Sequence, residues 1–198
     1  MDKKTEIQRQ DIMPMADYGL VRAERRKKIT ELKRHRRLAI GPDATFYFEC
    51  YDTMLHQIHE MLWIEKGGDA QIPDELAAYN PLIPKGRELV ATVMIEIDDA
   101  LRRAVVLAEL GGFEETIFIA FNGKKTIEAI PEDDLDRTSE NGKASSVQFV
   151  HFPFSDEEVK AFCDLEVQVT VGIGHPKYGH SAVVNDDSRA ALIKDFAA

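Results

Sequence analysis

Residues 117–130, IFIAFNGKKTIEAI, set two apolar runs either side of Asn122-Gly123. Asn-Gly tolerates positive φ at both central positions of a two-residue turn, so the stretch predicts a β-hairpin and antiparallel pairing. Working outward, ELVATVMIEI (88–97) alternates as a strand, with Val93, Ile95 and Ile97 on one face and Thr92, Met94 and Glu96 on the other. SSVQFVHFPF (145–154) and EVQVTVGIG (166–174) are further strands, and RLAIG (37–41) and TFYFE (45–49) flank a turn at Gly41-Pro42-Asp43. Helical periods fall between them: from Asp17, as N-cap, to about Arg37, from Tyr51 to Glu65, near 73–79, over 99–111, from Ser155, and from about Asp186. An acidic loop follows the hairpin. Strands joined by a tight turn and mixed irregularly with helices predict an α+β fold, a mainly antiparallel sheet with several helices. The expected organisation is a single domain over residues 17–198 behind a loosely ordered lead-in, residues 1–16.

The chain has 198 residues, 44% of them hydrophobic, which suffices for one domain with a substantial core. No run approaches the roughly 20 apolar residues of a membrane span, and MDKKTEIQRQDIM lacks the apolar centre of a signal peptide. The reading is a soluble, cytoplasmic protein. Cys50 and Cys163 stand apart with no Cys-x-x-Cys, which fits a reducing compartment and argues against a cysteine-built zinc or iron–sulfur site. The net charge of −10 is uneven, because residues 22–37 hold nine Arg/Lys against two Glu. No aromatic platform, zinc finger or helix-turn-helix accompanies that basic run, so nucleic acid is not the expected partner; the run should dock on acidic surface of its own chain or of a second copy.

Motifs for standard chemistries are missing. There is no Walker A loop, and GIGHP (172–176) has neither the third glycine nor the opening helix that dinucleotide binding needs, so no nucleotide cofactor is expected. No Gly-x-Ser-x-Gly occurs. HQIHE (56–60) is neither His-Glu-x-x-His nor His-x-x-Glu-His, so a zinc-protease arrangement is not reproduced.

That last stretch still carries the densest chemistry in the chain. At about 100° per residue, Met54, Leu55, Ile58, Met61 and Leu62 share one arc, the core face, while His56, His59, Glu60 and Trp63 fall on the opposite arc. Residues three and four apart are helix neighbours, so His56, His59 and Glu60 could offer donors to one ion, yet one helix does not complete a shell. The arc is read as surface, and His56, His59 and Trp63 as a contact for another protein, a second copy of the chain (a homo-oligomer) being one such partner. Val147, Phe149 and His151 share a strand face, as do Val167, Val169, Val171, Ile173 and His175. Each histidine should be a satisfied residue at the edge of the core, with His175 held by a backbone carbonyl or by the Tyr178 hydroxyl.

Taken together, Tyr18, Arg22, Arg26, RRLAIGP (36–42), Phe48-Glu49, EMLWIE (60–65), YNPLIP (79–84), MIE (94–96) and HPKY (175–178) resemble, in order and over nearly the whole chain, the bacterial domain-of-unknown-function family numbered 3501. The resemblance implies a setting beside a rubrerythrin-like protein and an iron–sulfur oxidoreductase. It also marks Glu49, Glu60, Asn80, Glu96, His175 and Tyr178 as positions to test. Three functions follow as expectations: a partner-binding accessory or regulatory protein of a redox or peroxide-protection module; a metal-dependent oxidoreductase or metalloprotein holding iron or manganese on Glu49, Glu60, Glu96 and His175; or a small-molecule binding domain whose pocket is floored by YNPLIP.

Overall fold

Two antiparallel sheets and a helical layer account for residues 4–132 and 144–196, the part of the chain that the computed structural model describes. Helix α1 (Met15–Arg34) leads into a hairpin of β1 (Arg37–Ile40) and β2 (Ala44–Phe48). Helices α2 (Tyr51–Glu65) and α3 (Ile72–Tyr79) and a 3-10 turn at Asn80–Leu82 then bring the chain to β3 (Glu88–Ile95). Helix α4 (Ala100–Glu109) precedes β4 (Ile117–Phe121), β5 (Lys124–Glu128), β6 (Ile130–Pro131) and β7 (Val147–Pro153); α5 (Asp156–Cys163), β8 (Val169–His175), β9 (Tyr178–Val183) and α6 (Asp186–Leu192) follow. Most of the expected acidic loop lies outside the described residues.

The α+β class and antiparallel pairing are as expected, but the strands divide between two sheets, ordered β1-β2-β3-β7-β6 and β5-β4-β8-β9. The hairpin that decides the pairing has Asn122 and Gly123 at φ 49° and 76°, the mirror-image geometry that matches strand twist. Asn122 extends the pairing beyond the turn: its N–H donates to the Gln168 carbonyl at 2.8 Å and its Oδ1 accepts from Gln168 N–H at 2.9 Å. The chain changes sheet immediately after β5. Ala129 still donates to Ile117, whereas Ile130 already pairs with His151 of β7.

Alternation along β3 sends its two faces into different layers. Leu89, Ala91, Val93 and Ile95 join the larger core between the sheets, with Phe46, Phe152, Ile119 and Val171. Val90, on the other face, joins a second core with Met54, Ile58 and Leu62 of α2 and Ile72, Leu82 and Ile83. The five-stranded sheet is thus the middle of three layers. Helix ends follow local chemistry: Ser155 and Glu158 form a reciprocal box at the start of α5, Asp99 caps α4, and Lys66 in the left-handed region ends α2.

Two expectations at the N-terminus need correction. The lead-in is anchored, because Ile7 (1% exposed) and Ile12 (4%) belong to the second core, and Asn80 clamps Ile7 by accepting from its N–H at 2.7 Å and donating to its carbonyl at 3.0 Å. An amide side chain that imitates a strand partner needs little sequence signal around it. Helix α1 begins at Met15, with Pro14 at its N-cap instead of Asp17, and ends at Arg34 because Arg36 and Arg37 turn into β1.

Tyr178 joins the two sheets. Its hydroxyl accepts from the N–H groups of Asp43 and Ala44 and donates to the Ile40 carbonyl, each at 2.8 Å, so one buried phenol closes the β1–β2 turn. Gly41, at φ 67°, sits beneath it, where an added Cβ would fall 2.9 Å from that hydroxyl. Tyr178→Phe removes one partner from three backbone groups at once, and we expect a loss of about 2 kcal/mol or more in urea unfolding. A change below about 0.5 kcal/mol would mean that the turn finds other partners.

Candidate functional site

The arc of α2 opposite its core face is not free surface: His59 is buried and His56, Glu60 and Trp63 are half-buried. Helix α1 of the same chain covers it. His59 is fully buried (0% exposed), with Nδ1 2.6 Å from the Leu55 carbonyl and Nε2 accepting from Met13 N–H at 3.1 Å. Both nitrogens are therefore engaged, with the ring stacked on Tyr18 at 4.8 Å, and burial holds its pKa below the ordinary histidine value. Burial likewise lowers that of His56, whose Nδ1 lies 3.4 Å from the Tyr18 hydroxyl. Glu60 accepts from Arg22 through both oxygens, at 2.8 and 2.7 Å, and from the Tyr18 hydroxyl at 2.6 Å; the Arg22 hydrogen bond is the main reason that its carboxyl is held down to about 2. Trp63 meets the edge of Tyr18, carries the Arg22 guanidinium over its ring, and packs where Gly19 leaves room, since a Cβ there would be 2.8 Å from the indole. The expected intermolecular contact at His56, His59 and Trp63 is thus an intramolecular helix–helix interface.

The four proposed metal donors are likewise not gathered. Glu60 belongs to that interface, and Glu96 is exposed at the end of β3, accepting from the Tyr47 hydroxyl at 2.8 Å with Arg37 at 3.7 Å. His175 sits at the β8–β9 turn, where Nδ1 accepts from Lys177 N–H at 3.3 Å; the Tyr178 hydroxyl, one of the two partners expected for it, is committed to the β1–β2 turn. Glu49 lies beneath α2. Among the described residues no group of three His, Cys, Asp or Glu side chains converges in a way that could hold a metal ion. Strand and helix spacing can place donors on a face, but convergence is a property of the packed layers.

His151 illustrates a different use of carboxylates. Its Nδ1 is 2.9 Å from Glu88 and its Nε2 2.6 Å from Glu132. Ionised carboxylates only accept, so the ring must donate from both nitrogens and carry a proton. The Glu88 hydrogen bond, and after it that of Glu132, raise the histidine pKa against the opposing effect of burial. A raised folded-state pKa contributes stability that is complete below the unfolded value of 6.5 and is lost as pH rises through the folded pKa. Thermal unfolding should therefore shift downward as pH rises above 6.5, and His151→Gln should remove that slope. An unchanged slope in the variant would place the titration elsewhere.

A cavity of about 370 Å³ lies between α2 and the helix-facing side of the middle sheet. Its walls are Met54, Leu82, Met94 and Phe149 with Tyr47 and Tyr79; Glu49, Thr92, Gln57 and Lys33 supply the polar groups. Glu49 stands where β2 gives way to α2 and is only 4% exposed. Its backbone is fixed on both sides, the N–H donating to the Val90 carbonyl at 2.8 Å and the carbonyl accepting from Arg36 at 3.0 Å. Of the carboxylate oxygens, Oε1 accepts from the Thr92 hydroxyl at 2.8 Å, while the buried Oε2 has no hydrogen-bond partner. An acceptor left in that condition costs on the order of 1–3 kcal/mol, more for a charged group. It is the chemical feature that sets this cavity apart from the open grooves along α1.

Comparison with known proteins ends on the same open question of function. The family described as "Protein of unknown function (DUF3501)" matches residues 6–196. The chain belongs to that family. A crystal structure of a novel protein of unknown function from Burkholderia pseudomallei K96243 is similar at a TM-score of 0.88 and 32% identity, covering 96% of this chain and 99% of that one. A search of curated proteins finds no match. Of the positions marked by the family resemblance, Asn80 and Tyr178 are clamps on backbone, Glu60 is a helix-to-helix ion pair, and Glu49 alone presents an unengaged buried acceptor. Sequence reasoning named Glu49 but not the lining residues Lys33, Gln57 and Met94. The available signal is the alternation of β3, which puts Thr92 and Met94 together on the face opposite Val93 and Ile95. No helix among the described residues is long and apolar enough to cross a membrane.

Proposed function

We propose that this protein is a small-molecule binding domain whose ligand occupies the cavity under α2. The observation that carries the reading is Glu49, a nearly fully buried carboxylate with one oxygen unpartnered, lining a cavity of ligand size. Leaving such an oxygen without a donor is costly, and a ligand that brings the donor recovers the cost. Tyr79 and Leu82, from the YNPLIP segment, form part of the wall, in keeping with the pocket expected there. In the redox or peroxide-protection setting implied by the family resemblance, such a domain would act as a ligand-responsive accessory partner, and that setting rests on the resemblance alone.

Ligand-observed NMR of the full chain against a library of small amines, acids, neutral aromatics and nucleosides tests the reading. Hits are expected to weaken at least about fivefold in Gln57→Trp, which fills the cavity from α2 and leaves Glu49 in place. A blank library, or hits indifferent to Gln57→Trp, would overturn the proposal.

A further inference from the structure

The chemistry of the cavity also restricts what it can hold, an inference that rests on reading it as a ligand site. Three features converge. Glu49 offers an acceptor whose remaining oxygen needs a hydrogen-bond donor, and its other oxygen already has the neutral donor of Thr92. A charged donor makes a bond roughly twice as strong as a neutral one in such surroundings and also balances the buried charge. Lys33 lines the same cavity, and among the described residues its ammonium has no ion-pair or hydrogen-bond partner. A simple cation would share the cavity with that ammonium at a Coulombic cost, whereas a ligand that also carries an anionic group would engage it. The same cavity is walled by Met54, Met94 and Phe149, which suits an apolar body, with methionine side chains able to adjust to its shape.

We propose that the cavity takes a small zwitterion resembling an apolar amino acid, its ammonium on Glu49, its apolar body against Met54, Met94 and Phe149, and its anionic group at Lys33. Glu49 sets the position of the ammonium because its backbone is held by Val90 and Arg36 and its carboxylate by Thr92. Lys33 lies on the longer, more mobile tether, so it selects by charge more than by geometry.

Isothermal titration of the full chain with three probes decides the matter: phenylalanine (both charges), phenethylamine (ammonium only) and 3-phenylpropionate (carboxylate only). Phenylalanine should bind most tightly, with each of the others weaker by about tenfold or more. Glu49→Gln should bring phenylalanine down to the level of 3-phenylpropionate, and Lys33→Ala should bring it down to that of phenethylamine. Thermal unfolding checks that both variants are folded, and the ranking of probes on the unaltered chain stands even where Glu49→Gln does not fold. Equal or tighter binding of 3-phenylpropionate, or phenylalanine binding unaffected by Glu49→Gln in a folded variant, overturns the zwitterion. Should none of the three bind while library hits remain sensitive to Gln57→Trp, the zwitterion falls and the ligand-binding reading survives; if both experiments are blank, both fall.

Discussion

Arg36→Met is expected to lower folding stability by about 3–5 kcal/mol, the cost of breaking a buried ion pair by removing one member. The Arg36 and Asp195 side chains are each only 4% exposed, and the guanidinium pairs directly with the Asp195 carboxylate beyond α6. The same guanidinium donates to the carbonyls of Phe48, Glu49 and Ala191, each at 3.0 Å. One side chain therefore ties the start of β1, the junction of β2 with α2, and the C-terminal helix. Methionine keeps much of the stem but takes the guanidinium away from three carbonyls and from the Asp195 carboxylate. Urea unfolding would read the loss as a fall in midpoint with an unchanged slope. The double variant Arg36→Met/Asp195→Leu should recover a large part of it, because it removes the buried carboxylate along with its guanidinium. A loss below about 1 kcal/mol for Arg36→Met would refute this account. Since Arg36 also holds the Glu49 carbonyl, any folded Arg36→Met protein should bind cavity ligands more weakly.

Trp63→Ala should cost about 3 kcal/mol of folding stability, the lower end for deletion of a buried indole because the ring keeps some exposure. It should leave sedimentation unchanged. The ring lies in the notch that Gly19 opens in α1, against Tyr18 and under Arg22, so its removal loosens α1 from α2 within one chain. Gly19→Val makes the converse test: a side chain there would begin 2.8 Å from the indole and should also destabilise. If Trp63→Ala shifted association and left unfolding untouched, the arc would be an intermolecular contact after all.

The histidine arc of α2 shows where reading from sequence stops. A helical wheel correctly grouped Met54, Ile58 and Leu62 as core, and it correctly put His59 and Trp63 together on the far side. It could not tell that α1 would cover that side, because the contact is made by Tyr18, Gly19 and Arg22, one aromatic ring, a glycine and a charged side chain, which leave no apolar period to announce a packed helix. The basic run of α1 finds part of its acidic partner in Glu60 of the same chain. Strand β9 was missed for a comparable reason: Tyr178–Val183 has one buried and several exposed residues, and it is a strand because β8 lies beside it.

Local sequence determined the elements whose causes are local. The Asn122-Gly123 turn, the Ser155 cap, the alternation of β3 and the period of α2 each depend on backbone preferences or on spacing within a few residues. The α+β class followed, because a tight hairpin requires antiparallel neighbours and the helical periods do not alternate regularly with strands. Only the tertiary structure decided that the strands form two sheets, that the first residues are clamped by Asn80, and that Glu49, Glu60, Glu96 and His175 remain apart. It also decided that Lys33, Gln57, Thr92 and Phe149, from four separate elements, line one cavity with Glu49. The physical reason is range. Hydrogen bonds and side-chain periods act along the chain and leave a pattern there, whereas a cavity is the space that distant elements leave between them, and no single stretch of sequence records its shape.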